Sequence, residues 1–239
     1  MIKFEESEPS VRGRPITCRV DHNFFRSWSR RMAWCLGLMA TDGCLTSRKR
    51  LDDELCSKGV HFGSADYELV RKFVEFTGST YVVKKIYQDG RHIFWKTQIT
   101  NNDLYDVLVA LGIKESKSLD LNFPSDYSDN WMPDYVRGCW DGDGGVYWRP
   151  RRSEFSCSFV SCSKNFIYGV DSYLIRALNL STHKISTEFS RINCLYRIQL
   201  FGENARKLCR WMYHDNMQDA YLMRKYQEWL NYKQSKIYR

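Results

Sequence analysis

The chain lacks several things that would have made its reading short. It has five prolines in 239 residues and no proline-rich or low-complexity stretch, so extended linker or ligand segments are excluded. Its nine cysteines (Cys18, Cys35, Cys44, Cys56, Cys139, Cys157, Cys162, Cys194 and Cys209) include no Cys-x-x-Cys. The five histidines include no pair at finger spacing, and none reads as a metal ligand. A zinc finger and a disulfide framework are therefore set aside, and most of the thiols are expected to act as small buried hydrophobes in a reducing compartment. No run approaches the roughly 18 apolar residues of a membrane span. No basic amphipathic helix suggests a membrane surface as partner. The opening MIKFEESEPS is acidic, unlike a secretory or transit signal. The expected location is intracellular, in a bacterial or archaeal cytoplasm or an organelle matrix.

What is present is basic charge. Thirty-six Lys and Arg against 28 Asp and Glu leave a net +8, with pI about 9.0. Such a balance points to a polyanion, nucleic acid before anionic lipid. Hydrophobic residues at 43% and charged residues at 27% describe an ordinary globular chain, long enough for one large domain or two small ones.

The organisation lies in a duplication. RMAWCLGLMATDG (31–43) and PDYVRGCWDGDGG (133–145) are both helix-like and both end in Asp-Gly. Gly37 and Gly138 each stand five residues before the acids Asp42 and Asp143. Behind each segment the same order is expected. A strand (Gly59–Ser64; Phe155–Ser161) leads to a helix (Asp66–Phe76; Lys164–Leu178). Two strands follow (Thr80–Tyr87 and His92–Thr100; Thr182–Phe189 and Cys194–Phe201). A further helix closes each set (Asn102–Leu111; Glu203–Tyr213). Asp89-Gly90 and Arg191–Asn193 read as the hairpin turns. The divisions are an N-terminal extension 1–26, a first repeat 27–123, a linker 124–132 carrying Pro124, and a second repeat 133–239 with a C-terminal helix. Pro133 suits the first turn of the second motif helix.

Glycine inside a helix costs about 1 kcal/mol relative to alanine, so its repeated use points to close backbone contact between the two motif helices. Ala33, Gly37 and Ala40 share one face, as do Gly138 and Gly142. The glycine after each Asp is expected to adopt the left-handed conformation that ends a helix. Each acid then stands at the negative end of its helix dipole, where a cation is favoured. Carboxylates and free carbonyls at Asp42, Asp143, Thr41 and Gly142 are hard oxygen donors suited to Mg²⁺ or Mn²⁺. A metal held there activates water for phosphodiester cleavage.

LGLMATDG (36–43) and RGCWDGDGG (137–145) resemble the two motifs of the LAGLIDADG homing endonucleases in their single-chain form. GIKESKSLDLNFP (112–124) and YLMRKYQEW (221–229) are similar to the segments closing the family's repeats. The resemblance implies an α+β fold: two pseudo-symmetric αββαββα repeats whose saddle-shaped antiparallel sheets flank a two-helix interface. It implies a monomer that cuts a long, asymmetric double-stranded DNA target with Mg²⁺, leaving 3′ overhangs. Mn²⁺ should substitute, and Ca²⁺ should bind without cleavage. Asp42 and Asp143 match the family's catalytic acids, one per strand. Lys117 and Lys225 fall where a basic residue polarises the attacking water or stabilises charge on the phosphate. Ala40 departs from the motif by replacing an acid that Asp141 keeps, and Thr41 is bulkier than Gly142.

Strand alternation supplies candidate DNA contacts. Lys96 and Gln98 lie two apart, as do Arg197 and Gln199; Lys84 and Lys184 come from neighbouring strands, and Arg149, Arg151 and Arg152 follow the second motif. Arg12-Gly13-Arg14-Pro15 resembles the core of a minor-groove arm, against the plainer reading of a basic tail. Two other functions fit the same basic surface: an RNA-binding maturase acting on its own intron, and a DNA-binding regulator that no longer cuts. Intact Asp42 and Asp143 count against the regulator. An intein origin is disfavoured by the absence of a terminal His-Asn pair.

Overall fold

A computed structural model describes residues 18–49, 55–88, 90–181, 183–189 and 194–237. The Arg12–Pro15 arm and the Arg191–Asn193 turn lie outside them, as do Asp89 and Thr182. Gly90 is described and takes φ +68°, the left-handed conformation that a tight hairpin turn asks of glycine.

The first set of elements is helix α1 (Arg30–Thr41), strands β1 (Gly43–Lys49) and β2 (Leu55–Ser64), helix α2 (Tyr67–Phe76), strands β3 (Val83–Gln88) and β4 (His92–Thr100), and helix α3 (Asn102–Ala110). The second is α4 (Met132–Asp143), β5 (Gly144–Arg149), β6 (Glu154–Ser161), α5 (Lys164–Leu178), β7 (Ser186–Phe189), β8 (Cys194–Phe201) and α6 (Gly202–Met212). Helix α7 (Met223–Ile237) follows. Both sets read αββαββα. Strand order is β1-β2-β4-β3 in one antiparallel sheet and β5-β6-β8-β7 in the other. Strands β1 and β5 are not in the residue-by-residue expectation above. They start directly behind the motif acids, and their short, mixed sequences GCLTSRK and GGVYWR carry little alternation of their own.

The glycines after the acids do not behave as expected. Neither Gly43 nor Gly144 has positive φ. Gly43 opens β1, and Gly144 is extended at φ −100°, ψ −179°. Gly144 is needed for a different reason: a Cβ there would lie 2.6 Å from the Trp140 ring and 2.7 Å from its carbonyl oxygen. Close approach, rather than a left-handed turn, excludes a side chain.

By packing, the chain forms two compact units: the described part of residues 1–28 with 42–115, and residues 29–41 with 116–239. The first unit carries β1–β4, α2 and α3. Leu45, Val60, Phe62, Val83 and Ile99 form its inward sheet face, and Phe62 stacks on Phe73 of α2 with ring centroids 4.7 Å apart. Helix α3 is capped by Asn101, whose side chain accepts from Leu104 N at 2.8 Å.

The second unit holds both motif helices. Nine successive residues of α1, Met32 to Ala40, are buried, as fits a helix apolar on all sides. The two helices run in the same direction: Arg30 meets Asn130 and Asp134 at their starts, and Gly37 meets Gly138 midway. A Cβ on Gly37 would fall 2.1 Å from Tyr135 O, and one on Gly138 2.1 Å from Trp34 O. The glycine inference from sequence thus stands on backbone contact. Pro133 lies in the first turn of α4. Beneath the helices, Trp140 stacks on Phe159 of β6 at 4.9 Å. Of the eight cysteines whose side chains are described, Cys35, Cys139, Cys157 and Cys209 are buried. Half, rather than most, therefore serve as core.

Gly138→Ala should lower the free energy of unfolding by about 2 kcal/mol or more, because added volume at a closed backbone contact forces the helices apart. Urea titration followed by circular dichroism measures it. A variant as stable as the parent would mean that the helices do not touch there.

Candidate metal and DNA-binding site

Two parallel helices ending side by side concentrate the negative ends of both dipoles, an arrangement that repels itself and attracts cations. Two buried lysines answer it. Lys117 Nζ donates to Thr41 O at 2.7 Å, at the end of α1. Lys225 Nζ donates to Trp140 O and Asp141 O, both at 2.7 Å, and approaches Gly142 O at 3.4 Å, at the end of α4. Lys117 is 7% exposed and Lys225 3%. Buried ammoniums of this kind persist only where carbonyls and carboxylates compensate lost hydration.

Asp143 is the last residue of α4 and is exposed. Protein crowding around its carboxylate still raises its pKa above the usual 3.8, while Lys117 and then Lys225 pull it down. Both candidate lysines therefore act on the candidate acid. Asp42 follows Thr41 in a turn and is half-buried. The Thr41 hydroxyl folds back onto its own helix, donating to Leu38 O at 3.1 Å and Gly37 O at 3.3 Å. Only its backbone carbonyl faces Lys117.

Among the described residues, no group of three or more His, Cys, Asp or Glu could hold a metal. The Thr41 and Gly142 carbonyls, expected to be free donors, instead face the ammonium groups of Lys117 and Lys225, which leaves carboxylates such as Asp143 as the donors suited to a Mg²⁺-type ion. Such an ion takes one or two carboxylates and fills its remaining positions with water and phosphate oxygens. A carboxylate whose anion is disfavoured by crowding, at a helix's negative end, gains from a divalent counter-charge.

Asp141, the acid that the first motif lacks, does something else. It is 1% exposed, and its Oδ2 accepts from Trp34 Nε1 at 2.8 Å and Leu222 N at 2.9 Å. It ties α1 and α4 to the segment before α7. Burial raises its pKa, opposed first by Lys225. Its Oδ1 has no hydrogen-bond partner among the described residues. The starts of the helices are fastened by Asp134, fully buried, which accepts from Arg30 at 2.9 Å and Arg137 at 2.5 Å and meets His214 at 3.2 Å. Burial pushes Asp134 up, but His214, Arg137 and Arg30 together hold it below the usual range. Arg137, itself fully buried, also donates to Ala220 O at 2.6 Å. The sequence offered no signal for this cluster beyond charges inside an apolar helix.

The sheets sort the remaining candidates. Directly opposed residues share a face, and register sets Lys84 opposite Lys96, and Gln98 opposite His61. In the second sheet Arg197 is opposite Ser186 and Val160, and Gln199 is opposite Ser158. Lys96-Gln98 and Arg197-Gln199 thus hold the same lattice positions in the two sheets, each on the face turned from its core. Lys84 against Lys96 is an unfavourable like-charge pair with nothing to gain except an anionic partner. Arg197 pairs with Glu188 at 3.3 Å and Arg149 with Glu154, so two candidate cations are partly neutralised. Arg151 and Arg152 lie exposed in a short 3₁₀ turn, and Lys184 is exposed just before β7. His61 was not a candidate, yet it sits on the Lys96-Gln98 face. Its Nε2 is 2.9 Å from Thr46 Oγ1, and burial, Lys96 and Arg48 depress its pKa.

No family model and no curated protein matches the sequence. Solved structures do. Mesophilic variants of the homing endonuclease I-DmoI align with a TM-score of 0.55 at 11% identity, covering 82% of this chain and 99% of theirs. The LAGLIDADG meganuclease I-CpaMI bound to uncleaved DNA aligns at 0.50 and 13% identity, over 87% and 90%. Meganuclease I-SmaMI bound to uncleavable DNA aligns at 0.51 and 12%, over 80% and 88%. The chain has the fold of the single-chain LAGLIDADG homing endonucleases. Within this fold α1 and α4 are the two motif helices, and β1–β4 and β5–β8 the two sheets. Further solved structures of I-DmoI hold its target DNA with manganese or calcium.

In metal-free buffer, Asp143→Asn should raise the melting temperature at pH 7. The folded acid has a pKa above 3.8, so the anion's penalty exists at neutral pH and shrinks as pH falls through the folded value. Below 3.8 the variant and parent should melt alike. A variant less stable than its parent at pH 7 would show that the carboxylate is already well compensated.

Proposed function

We propose that this chain is a site-specific endonuclease of double-stranded DNA that depends on a divalent metal, acts as a monomer and leaves 3′ overhangs. One observation carries the reading: two glycine-apposed parallel helices, each followed or ended by an aspartate, in a fold shared with DNA-bound homing endonucleases. Asp42 and Asp143 are the metal ligands, one for each strand cut, with the Thr41 and Gly142 carbonyls beside them. A bound divalent cation supplies Lewis-acid polarisation of the scissile phosphate and a more acidic water. Lys117 and Lys225 hold positive charge at the helix ends, where it stabilises the charge that develops on phosphorus-bound oxygens. Mg²⁺ is the working ion, Mn²⁺ substitutes for it, and Ca²⁺ supports binding alone.

The outward sheet faces bind the duplex. Gln98 and Gln199 suit adenine, Arg197 suits guanine, and Lys84, Lys96, Arg149, Arg151, Arg152 and Lys184 contribute base or phosphate contacts. The fold and the like-charge Lys84–Lys96 pair support this assignment.

Selection from a randomised duplex library, or the uninterrupted allele of the gene around the reading frame, supplies the substrate. The double variant Asp42→Asn/Asp143→Asn should lose Mg²⁺-dependent cleavage while binding the same duplex in Ca²⁺. Either single variant should accumulate nicked product. Cleavage by the double variant would overturn the metal assignment. Replacing Lys84, Lys96 and Arg197 with Gln should weaken duplex binding and flatten its salt dependence by about 0.9 per lost phosphate contact. An unchanged slope would remove the sheet faces from the interface.

A further inference from the structure

The connection from α5 to β7 is fastened at successive residues. Helix α5 ends at Asn179, which takes the left-handed conformation at φ +47°. Lys207 of α6 donates to the Asn179 carbonyl at 2.5 Å. Leu180 is buried. Asn204 of α6 meets Ser181 three times. Its Oδ1 accepts from Ser181 N at 3.2 Å and from Ser181 Oγ at 3.0 Å, and its Nδ2 donates to Ser181 O at 3.0 Å. Beyond these bonds comes His183, whose side chain is 11% exposed. Strand β7 itself exposes all four of its side chains. Its placement therefore depends on its ladder with β8 and on the connection that delivers it.

His183 is bound at both ring nitrogens. Nδ1 is 3.2 Å from Ser181 O, and Nε2 is 2.6 Å from Asp171 Oδ1 on α5. A carbonyl and an ionised carboxylate only accept. Neutral imidazole carries one N–H and can serve one of them, whereas the imidazolium donates to both. His214 makes the contrast. Its Nε2 also meets a buried carboxylate, that of Asp134, but its Nδ1 accepts from Asn216 N at 3.2 Å. Neutral imidazole satisfies that pair in full. Both histidines have an aspartate partner, and His183 is the one whose surroundings ask for the charged ring. Around it, Asp171 is the acid on α5, Lys207 on α6 is turned onto Asn179 O, and Lys184, next in the chain, is exposed.

We infer that His183 is a positioning residue for duplex binding: its protonated ring, clamped between Asp171 and Ser181, fixes the path into β7 and with it Lys184. Ser186 opens β7 opposite Arg197, and Lys184 stands two residues before it. When the ring gives up its proton, one of its two bonds is lost and the entry to β7 loosens. The clamp is the acid-side state, so duplex affinity falls as pH rises through the range in which imidazoles titrate. This role rests on the reading of the outward sheet faces as the duplex surface, whereas the clamp on β7 does not.

The test compares the whole chain with His183→Arg and His183→Gln from about pH 6 to pH 8. Arginine brings several donors and a permanent charge; glutamine brings a neutral amide. The backbone amide resonances of Ser186–Phe189 should shift with pH in the parent and stay constant in both variants. Parent affinity for random-sequence duplex DNA at low salt should fall about fivefold over this range beyond any fall in His183→Arg, the scale of one net hydrogen bond. His183→Arg should bind at high pH as the parent does at low pH, and His183→Gln should bind at low pH as the parent does at high pH. The other histidines are common to all three proteins, so the difference belongs to His183. In a Lys184→Gln background that difference should vanish. Parallel pH profiles in the parent and both variants overturn the proposal, as do β7 resonances that ignore pH in the parent. Resonances that shift while affinity does not overturn the positioning role if Lys84→Gln/Lys96→Gln/Arg197→Gln weakens duplex binding. If that variant binds as tightly as the parent, the sheet reading has failed and the clamp on β7 stands.

Discussion

The backbones of α1 and α4 meet at Gly37 and Gly138, and most of what is distinctive in the second unit follows from that contact. A single added methyl on either side would lie 2.1 Å from a carbonyl oxygen. At that separation two parallel helices place their dipoles in line and their C-terminal carbonyls at one end. The arrangement is unfavourable without positive charge. Lys117 and Lys225 provide it, each drawn into the interior onto the last carbonyls of one helix.

The polar groups around the contact divide the labour along the helix axis. At the starts, Asp134 gathers Arg30, Arg137 and His214 into a buried, compensated network. Midway only backbone and small residues fit. Near the ends Asp141 spans α1, α4 and the approach to α7 through Trp34 and Leu222. Ala40 holds the corresponding place in α1 and is buried. One buried carboxylate already joins the two helices, and a second without partners would cost desolvation with no bond to offset it.

The two sheets repeat one lattice with different chemistry on it. Lys96-Gln98 and Arg197-Gln199 stand in equivalent places, but the neighbours differ: Lys84 and His61 in one sheet, Ser186 and Ser158 in the other. The fold is duplicated, but its exposed faces have diverged. The helical side of the second sheet has diverged too, through α7, which has no counterpart after α3.

Periodicity and spacing by themselves determined the duplication, the two motif helices, their glycine contact and the positions of most strands, because these are set by local alternation and by residues that only one geometry tolerates. Strands β1 and β5 stayed hidden because a strand that borrows its partners from β2 and β6 needs little alternation of its own. The glycines after Asp42 and Asp143 were misread as left-handed because sequence shows that a side chain is missing but not which neighbour forbids it; at Gly144 that neighbour is Trp140. Lys117 and Lys225 could be picked out only as lysines in suggestive segments. That both bury themselves on the ends of the motif helices, and that Asp141 is a tie, are decisions of tertiary packing. Each depends on groups 76 to 107 residues apart in the chain coming within hydrogen-bonding range, and no local pattern encodes such a meeting.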